Sequence, residues 1–191
     1  FENATKIYFG GGCVKEHLLE AVKPYGETVM LAYGGGSIKT NGIYQEVMDV
    51  LKLAGKQVIE FSGIMPNPTY SKVMEGKKVV QENQVDLILA VGGGSVMDCS
   101  KAISMAAATD KDVWEEYWIK KGEIDFEPVP VGVIVTVVGT GSEVNGEGVI
   151  THEEQKIKTS RNYPRCNPVF AMMDPKYTYT VSPLQTAAGG F

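Results

Sequence analysis

Leu87-Ile88-Leu89-Ala90-Val91-Gly92-Gly93-Gly94-Ser95, running on into Val96-Met97-Asp98-Cys99-Ser100-Lys101, is the stretch whose reading decides the fold. Five apolar residues without polar alternation read as a strand covered on both faces. The glycines let the backbone turn tightly and approach another group closely. Beyond them Cys99, Ala102, Ile103, Ala106 and Ala107 draw one stripe of a helix. A strand that passes through glycine into a helix offers free N–H groups and the positive end of the helix dipole, a natural seat for an anion.

Gly-Gly-Gly occurs at 10–12 and 34–36 as well as 92–94, each time between an apolar run and a helical segment. Short β-branched runs at 29–33, 57–61, 87–91 and 131–138 alternate with helical stretches. Ile43, Val47, Val50, Leu51 and Ala54 form one stripe, while the segment 71–83 is less regular, with Val73, Val79 and Val80 as its apolar anchors. Strand and helix in strict alternation predict an α/β fold: a doubly wound, mostly parallel sheet with helices on both faces. The segment 110–130, with Trp114, Tyr117 and Trp118, reads as an excursion packed by its aromatics. After 138 the pattern predicts a β-hairpin, with strands near 148–151 and 156–158 and a polar turn between, then a last short strand at 170–173.

Ligands of such sheets lie at the carboxyl ends of the strands. Three glycine triplets on that edge, with a fourth loop at Gly139-Thr140-Gly141-Ser142, favour a nucleotide site. None matches G-x-G-x-x-G, and there is no Walker A lysine. Ser95-x-x-Asp98 has capping-box spacing, which alone accounts for Asp98, and Lys101 one turn later reads as a helix-surface residue. The second strand ends in Tyr33-Gly34-Gly35-Gly36-Ser37-Ile38-Lys39 with no acid to meet a ribose 2′-hydroxyl. Ser37 and Lys39 could donate to a 2′-phosphate, so NADP is expected over NAD, with NAD possible.

Composition narrows the classes. The chain has 191 residues, 22 of them glycine, and a net charge of −5, a sign that disfavours a nucleic-acid partner. The longest apolar stretch, 131–138, falls far short of the roughly 20 residues of a bilayer helix, so no membrane is expected. Three cysteines without Cys-x-x-Cys spacing fit a cytoplasmic setting. His17, on the first helix, reads as an ordinary helix residue, and His152, beside Glu153 and Glu154, as part of a solvated turn. Ser142 and Glu143 have no histidine between them and no nucleophile elbow, which argues against acyl transfer.

The ordered motifs resemble the iron-containing (group III) alcohol dehydrogenases, specifically the butanol dehydrogenase-like branch. The stretches that carry the resemblance are Tyr33-Gly-Gly-Gly-Ser-Ile-Lys39, Gly63-Ile-Met-Pro-Asn-Pro68, Ala90-Val-Gly-Gly-Gly-Ser-Val-Met-Asp98 with Lys101, Thr140-Gly-Ser-Glu143 and Asp174-Pro-Lys-Tyr-Thr-Tyr-Thr180. The resemblance implies that 1–191 is the N-terminal nucleotide-binding domain of a two-domain enzyme, whose helical metal-binding domain lies outside this chain. It implies hydride transfer between a small primary alcohol or aldehyde and NAD(P), and a possible homodimer. By the same resemblance Gly93, Gly94 and Ser95 hold the pyrophosphate, and Asn67 faces the cofactor across the cleft. Asp98 lies by the nicotinamide ribose, and Gly36 with Ser37 by the adenosine ribose. Thr136 and Thr140 lie near adenine and phosphates, Lys158 is close to the nicotinamide, and Asn145 joins the cofactor-binding set. Glu147 departs from the family pattern.

The family's metal, Fe or Zn, is held by one Asp and three His. The Asp is expected just after Phe191 and the histidines further on, so this chain alone is expected to lack the metal site and to be inactive. Phe1 in place of Met and the unfinished run 186–191 fit a piece of a longer protein. A lyase of the dehydroquinate synthase kind and a non-catalytic nucleotide-binding module are the alternatives.

Overall fold

The computed structural model describes residues 4–179, 181–184 and 187. The central strand β4 (Leu87–Gly92) is buried along its whole length. Each of its Leu, Ile and Val side chains contributes roughly 1.5–3 kcal/mol by leaving water. Around it β1 (Lys6–Phe9), β2 (Thr28–Tyr33), β3 (Gln57–Phe61), β5 (Val131–Val135) and β8 (Phe170–Met173) complete a six-stranded sheet in the order β1-β8-β5-β4-β2-β3. Every pairing within it is parallel.

The alternation of side chains along buried strands divides the core in two. Val29, Leu31, Tyr33, Leu87, Leu89 and Val91 pack on α1 (Cys13–Val22) and α3 (Ile43–Leu53). Met30, Ala32, Ile88 and Ala90 pack on α4 (Tyr70–Glu82) and α5 (Gly94–Ala107). Between β2 and α3 lies the short α2 (Ser37–Thr40). The chain therefore leaves β2 toward one face and the adjacent β4 toward the other. That divergence opens a crevice at the carboxyl ends of β2 and β4, the place where doubly wound sheets bind ligands.

Beyond β5, β6 (Glu147–His152) and β7 (Ile157–Asn162) form the antiparallel hairpin, its second arm longer than the sequence suggests. The hairpin covers α5, which explains why that helix is buried from Val96 to Ala106. Its tip reaches α4: Thr151 bridges Thr69, its N–H donates to Pro68 at 3.0 Å, and Ser71 bonds Glu153. The 110–130 excursion contains a π-helical turn, Trp114–Ile119, which buries Trp114, Tyr117 and Trp118 as expected. His152 is not a free solvated turn. Its ring stacks on Tyr70 at 5.1 Å and meets Trp114 at 5.0 Å, because the hairpin tip folds onto that aromatic cluster. Among the described residues no helix is long and apolar enough to cross a membrane.

Candidate functional site

The three glycine triplets do not act together. The run 10–12 follows β1, at the far border of the sheet, and the N–H of Gly12 at the start of α1 donates to the Asp174 carboxylate at 2.6 Å. The protein's own acid thus takes the place an anionic ligand would occupy. The other two triplets follow the neighbouring strands β2 and β4 and flank the crevice.

A cavity of 280 Å³ opens beside the β4 triplet, lined by Asn67, Pro68, Gly94, Ser95, Asp98, Thr140, Ser142, Asn145, Glu147, Val149 and Lys158. Four segments build it. The start of α5 supplies Gly94, Ser95 and Asp98. The loop after β5 supplies Thr140, Ser142 and Asn145, the Pro-Asn-Pro loop supplies Asn67 and Pro68, and the hairpin supplies the rest. Loop and helix touch closely: a Cβ on Gly94 would lie 2.7 Å from Thr140 Cγ2 and 2.9 Å from its Oγ1. Glycine permits that approach without displacing the Thr140 side chain. Asn67 holds φ at +55°, a left-handed backbone that Asn tolerates better than most side chains. Its Oδ1 accepts from Lys158 Nζ at 2.5 Å, joining the two sides of the cleft.

Asp98 and Lys101 are arranged otherwise than their spacing suggests. Gly93 is the N-cap of α5 and no side chain caps the helix, so the capping box is not formed. Asp98 instead accepts from Ser142 Oγ at 2.5 Å and from the Val149 N–H at 3.1 Å, because the loop and the hairpin cross this face of the helix. Burial pushes its carboxyl above the usual range, opposed by the Ser142 hydrogen bond, the Lys101 charge and the Val149 N–H. Lys101 is not a surface residue either; it is 1% exposed. Its ammonium donates to Ser142 O at 3.0 Å, Ser142 Oγ at 2.8 Å, Asn145 O at 3.0 Å and Asn145 Oδ1 at 3.3 Å. Burial lowers it to about 8, with Asp98, 3.8 Å away, the chief opposing influence.

A second cavity, also 280 Å³, lies at the ends of β2 and β3, lined by Tyr33, Gly34, Gly35, Gly36, Lys39, Ser62 and Gly63. An acid stands beside it after all. Glu60 of β3 accepts from Tyr33 at 2.5 Å, Tyr44 at 2.7 Å and Lys39 at 3.0 Å. The missing acid sits on the neighbouring strand, a cross-strand relation invisible in the run 33–39.

Of the expected residues, Asn67, Gly94, Ser95, Asp98, Thr140, Asn145 and Lys158 line the first cavity and Gly36 the second. Gly93, Thr136 and Ser37 line neither. The Thr136 N–H bonds Gly92 O at 3.0 Å, tying β5 to the glycine turn behind the first cavity. Ser142 belongs to the fourth loop expected at the site, whereas Val149 was not expected in the wall; only folding brings the two to Asp98. Among the described residues no group of three or more His, Cys, Asp and Glu is placed to hold a metal. The expected ligands after Phe191 lie outside the described residues.

Comparison with known proteins places residues 4–175 in the iron-containing alcohol dehydrogenase family, and the chain belongs to that family. Among its relatives, the probable NADH-dependent butanol dehydrogenase 1 of Bacillus subtilis is 44% identical over 187 residues, covering 98% of this chain and 48% of that protein. The NADPH-dependent aldehyde reductase YqhD of Escherichia coli is 40% identical over 186 residues, covering 97% and 47%. The crystal structure of NADH-dependent butanol dehydrogenase A from Thermotoga maritima superposes with a TM-score of 0.91 at 38% identity, over 99% of this chain and 47% of that one. The chain spans about half the length of the curated relatives it matches.

Proposed function

We propose that this chain is the dinucleotide-binding half of an alcohol dehydrogenase that passes hydride between a small primary alcohol or aldehyde and NAD(P). The observation that carries this reading is the 280 Å³ cavity at the carboxyl end of β4, where a glycine helix start, a carboxylate and a lysine converge. The close approach of Gly94 to Thr140 fits a diphosphate on the amides that open α5. The Asp98 carboxylate suits ribose hydroxyls, and Lys158 with Asn67 closes the opposite wall. When bound, the dinucleotide supplies the carbon that takes or gives hydride.

Ser37 and Lys39 support NADP, whereas Glu60 sets a counter-charge against Lys39 and supports NAD. Both cofactors therefore belong to the proposal, and relatives of each kind are similar to this chain. Among the described residues no group of three or more His, Cys, Asp and Glu fits the family's iron, and the chain alone is expected to turn over no alcohol. Three buried, unpaired cysteines suit a cytoplasmic setting. Isothermal calorimetry with NAD and NADP tests the reading. Saturable binding of either at one site is expected, and heats indistinguishable from dilution for both would refute it.

A further inference from the structure

The buried Lys101 does not line the cavity, yet it carries the wall's hydrogen bonds. Its four oxygen partners all belong to Ser142 and Asn145, so the ammonium pins the loop after β5 to α5. A neutral amine has two N–H groups for these four acceptors, whereas an ammonium has three. Ser142 Oγ, by accepting from Lys101, is left to donate its proton to Asp98 Oδ1, while the Val149 N–H takes Oδ2.

We propose that Lys101 is a positioning residue that, acting through Ser142, keeps Asp98 an ionised acceptor turned toward a ligand's vicinal hydroxyls. This rests on the dinucleotide reading and names the ribose diol as the part recognised. An ionised carboxylate has about four lone-pair sites, and two are used by Ser142 and Val149. The others remain for two hydroxyl donors. A buried carboxylate with no cation nearby takes up a proton, and a protonated acid loses part of that acceptor capacity. The other charges facing Asp98 are Glu147 on β6, which opposes its ionisation, and Lys158 across the cavity. Lys101 itself faces Asp98, Cys166, Glu147 and Glu143.

The test is NAD binding by calorimetry on the full chain from pH 5 to pH 8, for wild type, Lys101→Met, Lys101→Arg and Ser142→Ala, with melting recorded for each. Lys101→Met is expected to weaken binding by about tenfold to a hundredfold at pH 7, the scale of a lost charge-assisted hydrogen bond. The acid limb of its binding curve is expected to move up by on the order of one pH unit, since an opposite charge has been removed beside Asp98. Lys101→Arg is expected to keep the wild-type limb. Ser142→Ala leaves the lysine charge in place, and is expected to weaken binding and raise the limb by less. Should Lys101→Met fail to fold, the Arg and Ala variants decide alone. An unmoved acid limb in Ser142→Ala, or in a folded Lys101→Met, overturns the proposal even if affinity falls. No NAD or NADP binding by wild type would instead overturn the dinucleotide reading, and this inference with it.

Discussion

Replacing Gly94 by Ala tests the contact between helix start and loop at its narrowest point. The new methyl would lie 2.7 Å from Thr140 Cγ2, 2.9 Å from Oγ1 and 3.2 Å from Cβ. Overpacking of this kind costs about 1–3 kcal/mol. Thr140 is exposed and its side chain can turn, and Ala is the better helix former, so the lower end applies. About 1 kcal/mol corresponds to a melting temperature lower by roughly 2–4 °C in a domain of this size. Ligand binding suffers more, because the methyl stands on the cavity wall where backbone must approach an anion. A loss of about tenfold or more in NAD affinity is expected, about 1.4 kcal/mol. Differential scanning fluorimetry and calorimetry read the two effects separately. The double variant Gly94→Ala, Thr140→Ala removes both clashing atoms, so it should recover the melting temperature but not the affinity. Wild-type affinity in the single variant would refute the placement of the diphosphate at this turn.

Glu60→Gln removes the charge opposing Lys39, so the NADP-to-NAD affinity ratio should rise by about twofold to fivefold, the scale of an exposed ion pair; an unchanged ratio would show that Lys39 does not meet the 2′-position. Hydrogen bonds from Tyr33, Tyr44 and Lys39 lower the Glu60 carboxyl to about 2. Its contribution to stability is therefore present above the ordinary value of 4.5 and lost as pH falls from there toward 2, and Glu60→Gln should flatten melting temperature against pH across that window. Gly146→Ala would set a Cβ 1.8 Å from Tyr163 O, a backbone atom that cannot turn away, and should destabilise the fold by about 3 kcal/mol in chemical denaturation.

The strands were legible wherever burial was symmetric. The run 87–91 has no polar face, and the helices at 43–53 and 94–107 carry clear stripes, so element type followed from local pattern. Strand order was not legible, because it depends on pairings between distant segments. Nothing in Gly10-Gly11-Gly12 reveals that β1 borders the sheet or that Asp174 fills the helix end beside it. Lys101 misled for a chemical reason: a lysine in a helix is ordinarily solvated, and the oxygens that make its burial tolerable come from residues 41 and 44 positions away. Glu60 was hidden likewise, being local to Lys39 only across a sheet. Asn67 and Lys158 were found through family resemblance, and their hydrogen bond explains why those two residue types suit those positions.

The dinucleotide reading requires that amides at the start of α5 and in the loop after β5 grip a diphosphate. Backbone amide shifts recorded by NMR during an NAD titration address it most directly. Saturable shifts at Gly93, Gly94, Ser95, Thr140 and Asn67, with the amides of Gly10 to Gly12 unmoved, are predicted. Saturable shifts confined to other regions of the chain, with the α5 amides silent, would contradict it.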